Sequence, residues 1–202
     1  MKKKRILIAL VLFLVISGVV WAQSGDKGKK GLLFEWPLSD SQKTIGFVYY
    51  LDDTTVLKPF VNIYLDFDSD WDELAGTAKD NDSTFYIEPG IAYDKILSSN
   101  GPLSFYAGAA VSVMFNLWKD EPAGGNVTEL SYFGVRISPR VGTQYMFTNN
   151  FGIYGNLQIS ALYRSDKDTL TDPGGTLLAD VRDTSLTIET VESALGVVFF
   201  FE

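Results

Sequence analysis

The 202-residue chain contains no cysteine and no histidine. The first absence excludes disulfides, a lipid-modified N-terminal cysteine, thiolate nucleophiles and cysteine-based metal sites. The second removes the imidazole base on which Ser–His and Asp–His chemistry depends. Basic residues are also scarce, 17 Lys and Arg against 25 Asp and Glu. Four of the 17 are Lys2, Lys3, Lys4 and Arg5, so from residue 23 onward the balance is 13 against 25, a net charge of −12. So acidic a chain repels phosphate backbones, and no nucleic-acid partner is expected. Beyond Ala22 no stretch approaches the roughly 18 consecutive apolar residues of a membrane-crossing helix. Any later membrane span has to be built from strands.

What is present at the N-terminus is a basic cluster followed by the apolar run 6–22, which ends in Val20-Trp21-Ala22. Small residues at those two flanking positions read as a secretory signal cut before Gln23. An uncleaved anchor is the alternative, but 17 residues that include Ser17 and Gly18 lie at the lower limit for spanning. Residues 1–22 are therefore expected to be a signal peptide, 23–30 a flexible lead-in containing Gly25 and Gly28, and 31–202 the folded unit.

Within the folded unit the dominant signal has period two. In residues 131–147, Phe133, Val135, Ile137, Pro139, Val141, Tyr145 and Phe147 share one parity, while Tyr132, Arg136, Arg140 and Gln144 share the other. The same alternation recurs in 31–38, 44–51, 56–67, 83–96, 103–118, 151–164 and 184–201, which predicts eight strands. Connections 52–55, 97–102 and 148–150 are short. Those at 68–82, 119–127 and 165–183 are expected to be long loops, with 39–43 breaking the alternation of lengths. Short turns at one end, long loops at the other and an even strand count predict an all-β, eight-stranded antiparallel up-and-down transmembrane barrel.

The faces follow from charge. Glu35, Glu88, Asp94 and Glu192 sit with Lys58, Arg136, Arg140 and Arg164 on the non-apolar parity. A charged side chain on the lipid face costs roughly 2–4 kcal/mol at the midplane, so this parity belongs in the lumen. Eight strands enclose a space that side chains just fill, and the eight charges are expected to form an ion-pair network rather than line an open pore. Tyr86, Tyr106, Met114 and Trp118 are expected to share the interior. Glu189 is the exception, falling on the apolar parity of the last strand. Aromatics near strand ends, among them Tyr49, Phe67, Tyr93, Tyr145, Phe147, Phe151 and Tyr163, read as interfacial girdles.

With the signal peptide, the eight strands and the terminal Val197-Val198-Phe199-Phe200-Phe201, the chain resembles the small outer-membrane barrels of the OmpX, OmpW and OmpA transmembrane-domain type. The resemblance covers the whole chain after the signal and is one of pattern. It implies an outer-membrane location in a Gram-negative-type envelope, a monomer surrounded by outer-membrane lipid, and folding by the barrel-assembly machinery. That machinery would read Phe199 and Phe201, although Glu202 follows the terminal aromatic. The function expected is that of a structural or surface-exposed binding protein whose acidic loops meet an extracellular ligand. A porin-like narrow channel for small, including apolar, solutes stands as the alternative, and a soluble periplasmic lipocalin-like barrel with its apolar face inward as a further one.

No cofactor, metal or catalytic residue is assigned. The acids Asp66, Asp68, Asp70, Asp72 and Glu73 suggest a calcium loop, but Trp71 and Thr77 occupy the positions where an EF-hand needs Gly and Glu. Loose divalent-cation binding and a solvated acidic loop both remain open there. Barrel enzymes resembling this scaffold rely on a catalytic histidine, which is lacking. Glu88 and Glu192 leave a two-carboxylate glycosidase arrangement as the formal catalytic alternative to structural ion pairs. The chain is expected not to be an enzyme.

Overall fold

Alternation becomes architecture when every inward residue finds a place along a closed ladder. The computed structural model describes residues 28–38, 43–70, 80–122, 125–189 and 191–201, and among these it forms strands and no helix. The strand segments are β1 (Lys30–Pro37), β2 (Lys43–Tyr50), β3 (Thr55–Asp70), β4 (Asp80–Asn100), β5 (Leu103–Glu121), β6 (Val127–Met146), β7 (Phe151–Gln158), β8 (Ala161–Thr171), β9 (Leu177–Ile188) and β10 (Glu192–Phe201). Every pairing is antiparallel; β1 to β6 pair in sequence order, β6 pairs with both β7 and β8, β8 with β9, β7 with β10, and β1 pairs with β10 to close the ring.

β7 and β8 are one barrel strand in two pieces, since both pair with β6 in a common register, Arg140 opposite Gln158 and Ile137 opposite Ala161. The interruption lies opposite Pro139, which has no N–H to give the ladder. The carbonyl of Pro139 still accepts from Ile159 at 3.2 Å, and Ser138 Oγ and Ser160 Oγ meet at 2.8 Å beneath the gap. β9 and β10 make up the eighth barrel strand, divided at residues 189–191. The result is a closed, eight-stranded, antiparallel barrel.

Its geometry can be read by walking across the ladders: Met146 to Gly152, Val198, Leu33, Gly46, Phe60, Gly90, Ser112 and finally Arg136. One circuit therefore returns to β6 ten residues from its start (146 against 136). That stagger corresponds to strongly tilted strands, within the roughly 35–45° usual for closed barrels.

The short turns at 52–55 and 148–150 fall where expected, while at 97–102 β4 runs on to Asn100 and only Gly101 and Pro102 remain as the turn. Asp52 Oδ1 accepts from the backbone N–H and hydroxyl of Thr54 at 2.7 and 2.9 Å, which holds its carboxyl down at about 2. Gly101 takes the left-handed conformation (φ 59°) of a two-residue turn, and Thr148 Oγ1 accepts from the N–H groups of Asn150 and Phe151.

The opposite end differs from expectation. Segments 68–82, 119–127 and 165–183 are not simply loops, because β3 continues to Asp70, β4 starts at Asp80, β5 reaches Glu121, and β8 and β9 pair from Ala161 with Ile188 out to Thr171 with Leu177. These hairpins stand beyond the apolar band with water on both faces. Nothing there forces polar and apolar residues to alternate, so the strand pattern is lost although the pairing persists. Lys30, assigned to the lead-in, opens β1 opposite Phe201. Residues 1–27, including the expected signal peptide, and Glu202 lie outside the described residues.

Candidate functional site: a charge-filled lumen beneath projecting hairpins

The outward parity is apolar around the ring: Trp36, Ile45, Ile63, Ile91, Phe105, Ile137, Val141, Ile153, Leu157, Leu195 and Phe199 are all exposed. Along β5, outward Phe105 and Phe115 are ten residues apart. At ~3.4 Å per residue and a tilt of ~40° this spans about 26 Å, close to the apolar height of an outer-membrane barrel. The ends of this band are aromatic. At the short-turn end Tyr145, Phe147, Phe151, Phe199 and Phe34 form a chain of ring contacts 5.1 to 6.4 Å apart. At the other, Phe115 and Phe133 meet edge to face at 5.4 Å. Ile87 shares the outward parity yet is 6% exposed.

The lumen holds the charges. Asp94 on β4 is fully buried and receives a two-pronged hydrogen bond from Arg140 on β6, Nε at 2.8 Å and Nη2 at 2.6 Å, and an ion pair from Lys58 on β3 at 2.9 Å. The Lys58 ammonium also lies 4.4 Å from the Tyr106 ring centroid and 5.2 Å from that of Tyr154. One carboxylate thus serves two cations, and aromatic faces take up part of the excess charge. Gly108 stands opposite Asp94 on β5 because a Cβ there would collide with the Tyr93 carbonyl and the Asp94 carboxylate. Gly108→Val is expected to displace that carboxylate and to lower the denaturant midpoint of the folded barrel by an amount comparable to about 2–3 kcal/mol, measured by unfolding in micelles.

A second cluster lies further along the barrel. Glu88 accepts from Asn62 Nδ2 at 3.0 Å, from the hydroxyls of Tyr86 and Ser112, and from Arg136 Nη1 at 3.2 Å. The other side of the Arg136 guanidinium reaches Glu189 at 3.2 Å. Sequence parity places Glu189 outward, and the structure corrects this. Gln158 pairs with Glu192 while Ala161 pairs with Ile188 and the Glu189 N–H donates to the Ser160 carbonyl at 2.8 Å, so the register shifts by one residue between the two ladders. The last strand is bulged by one residue there, and the bulge switches parity and turns Glu189 toward Arg136.

The remaining expected residues are placed otherwise. Arg164 pairs with Asp166 on its own strand at 2.8 Å, is partly exposed, and lies 4.9 Å from the Tyr132 ring. Glu35 and Glu192 have no cationic partner within ion-pair distance among the described residues. They accept instead from Asn156 Nδ2 at 2.9 Å and Gln158 Nε2 at 2.6 Å. Asp166 escapes sequence reasoning because its segment reads as loop. Tyr86, Tyr106 and Met114 are buried in the lumen, while Trp118 is half-buried. Between the two clusters is a polar cavity of ≈ 40 Å³ lined in part by Glu35, Lys58, Asn62, Ser138 and Gln158, room for a few water molecules. Of the expected acidic loop, Asp72, Glu73, Trp71 and Thr77 lie outside the described residues.

No protein-family model matches the chain, and no curated protein matches it. Solved structures do. A major outer membrane protein from Thermus thermophilus superposes with a TM-score of 0.55 at 12% identity, covering 87% of this chain and 100% of that one. CarO2 from Acinetobacter baumannii gives 0.43 at 16% identity, covering 87% and 100%, and neisserial surface protein A gives 0.35 at 17%, covering 86% and 94%. At such identities the likeness is one of fold, and the Thermus protein carries it.

Proposed function

We propose that this chain is an outer-membrane β-barrel with a closed lumen, acting as a structural or surface-binding protein through the hairpins that project beyond its apolar band. The observation that carries this reading is the inversion of a soluble barrel: apolar side chains face out around the ring, and Asp94, Glu88, Arg136, Arg140 and Lys58 fill the inside. A lipocalin-like binding barrel needs the reverse. The fold shared with an outer membrane protein supports the same location. Export by a cleaved signal, a monomeric state and a non-enzymatic role belong to this proposal.

A narrow channel is the second reading, favoured by the polar cavity between the charge clusters and by a wider vestibule of ≈ 700 Å³ at the short-turn end, lined by Tyr50, Gln144 and Met146. Planar-bilayer recording decides between them. The closed-lumen barrel gives no unitary current above baseline when reconstituted with its heat-modifiable gel shift intact. Reproducible current steps would establish the channel, and recovery of the protein in the soluble periplasmic fraction would overturn the membrane location itself.

A further inference from the structure

The barrel wall is not equally high all round. β1 ends at Pro37 and β2 begins at Lys43, and their last pairings are Pro37 with Ala194 and Lys43 with Ile63. Beyond that level β3 runs on to Asp70 held by β4, and β9 runs from Leu177 to Ile188 held by β8. Among the described residues, β9 pairs with β8 alone, and β3 beyond Ile63 pairs with β4 alone. The two edges face each other across the place where extensions of β1 and β2 would stand. A gap of two missing strands separates edges by about 14 Å.

An edge of twelve residues displays a row of backbone donors and acceptors, and proteins ordinarily shorten, bulge or cover such edges. This one is also sticky in its projecting part, where Leu177, Leu178 and Val181 are exposed; Leu186 and Ile188, in register with Val135 and Ile137 through Tyr163 and Ala161, continue the apolar band below it. Charge on the two edges is one-sided. β9 carries Asp180 and Asp183 against Arg182, and β3 beyond Ile63 carries Asp66, Asp68 and Asp70 without a basic residue. Across the hairpin, Lys167 already engages Asp180 at 3.5 Å.

We infer that this notch is a docking site for an extended polypeptide segment with basic and apolar residues in alternation, which adds as a strand to the free edge of β9. Backbone hydrogen bonds supply affinity, the exposed Leu and Val side chains cover alternate apolar residues of the guest, and Asp183, which has no ion-pair partner among the described residues, selects a basic one on the opposite face. The inference rests on the surface-binding reading and names the partner's class.

The test uses the full chain folded in micelles and follows amide hydrogen exchange in residues 177–188. A ten-residue alternating Lys–Val peptide is the probe, with a Glu–Val peptide and a Lys–Val peptide interrupted by two adjacent central prolines as controls. The Lys–Val peptide is expected to slow exchange in β9 by at least about tenfold, neither control doing so, and Asp180→Lys/Asp183→Lys to abolish the effect while keeping the heat-modifiable shift. No slowing at millimolar peptide, or equal slowing by the proline-interrupted peptide, overturns strand addition. Equal slowing by Glu–Val overturns the basic partner. Each of these results leaves the bilayer recording unaffected, so failure here is distinct from failure of the closed-lumen reading.

Discussion

Asp94→Ala is expected to destabilise the barrel by about 3–5 kcal/mol, because it removes the one anion shared by two buried cations. Lys58 and Arg140 are 4 and 9% exposed, and both direct their charge at this carboxylate. With it gone, neither has another anion within ion-pair distance among the described residues. Arg140→Ala is also destabilising, yet by less, since Lys58 still neutralises Asp94. Urea unfolding of the refolded protein in micelles gives the order. A charge-free variant, Lys58→Met/Asp94→Leu/Arg140→Met, is expected to recover most of the loss, because replacing a complete buried ion cluster by apolar side chains is often neutral. If the triple variant is as unstable as Asp94→Ala, the loss reflects packing and not stranded charge.

The second large effect belongs to the residue next to Arg140. Val141 is 53% exposed on the outward face, well within the apolar band, and Val141→Arg is expected to cost roughly 2–4 kcal/mol of folding free energy in bilayers. The measurement is the fraction of protein reaching the heat-modifiable folded form in lipid vesicles. Arg140 and Val141 are adjacent in sequence, and each is required to be what the other must not be. Equal tolerance of Arg140→Ala and Val141→Arg would mean that the faces have been assigned the wrong way round.

This adjacency is also where the sequence speaks most clearly. Between Phe133 and Phe147 an exposed apolar surface on one side and a packed, charged lumen on the other impose opposite chemistry on successive residues, so strand, face and eightfold repetition are all legible in the order of the residues. Legibility fails where that contrast fails. Residues 166–171 and 177–185 pair as strands but are wet on both faces, and their Asp, Thr and Lys composition reads as loop. Pairing among the lumenal charges is a different kind of loss. Parity places Asp94, Lys58 and Arg140 inside, but which atoms meet depends on the ten-residue stagger of the barrel, a sum over every ladder that no single segment carries. Glu35 and Glu192 show the limit, since they lie on the inner parity with the cations and bond to Asn156 and Gln158 instead. Glu189 is illegible for a third reason, because a single inserted residue inverts parity without changing composition.

That inserted residue at 189–191 makes the last strand two segments with independent phase. Below it, β10 is locked by its ladders to β7 and β1; above it, β9 answers to β8 alone. A one-residue insertion or deletion in the β8–β9 hairpin can then be taken up by lengthening or removing the kink, leaving the closing seam between Lys30 and Phe201 in place. The bulge works as an expansion joint, and it frees the surface hairpin to vary in length while the barrel beneath it stays fixed.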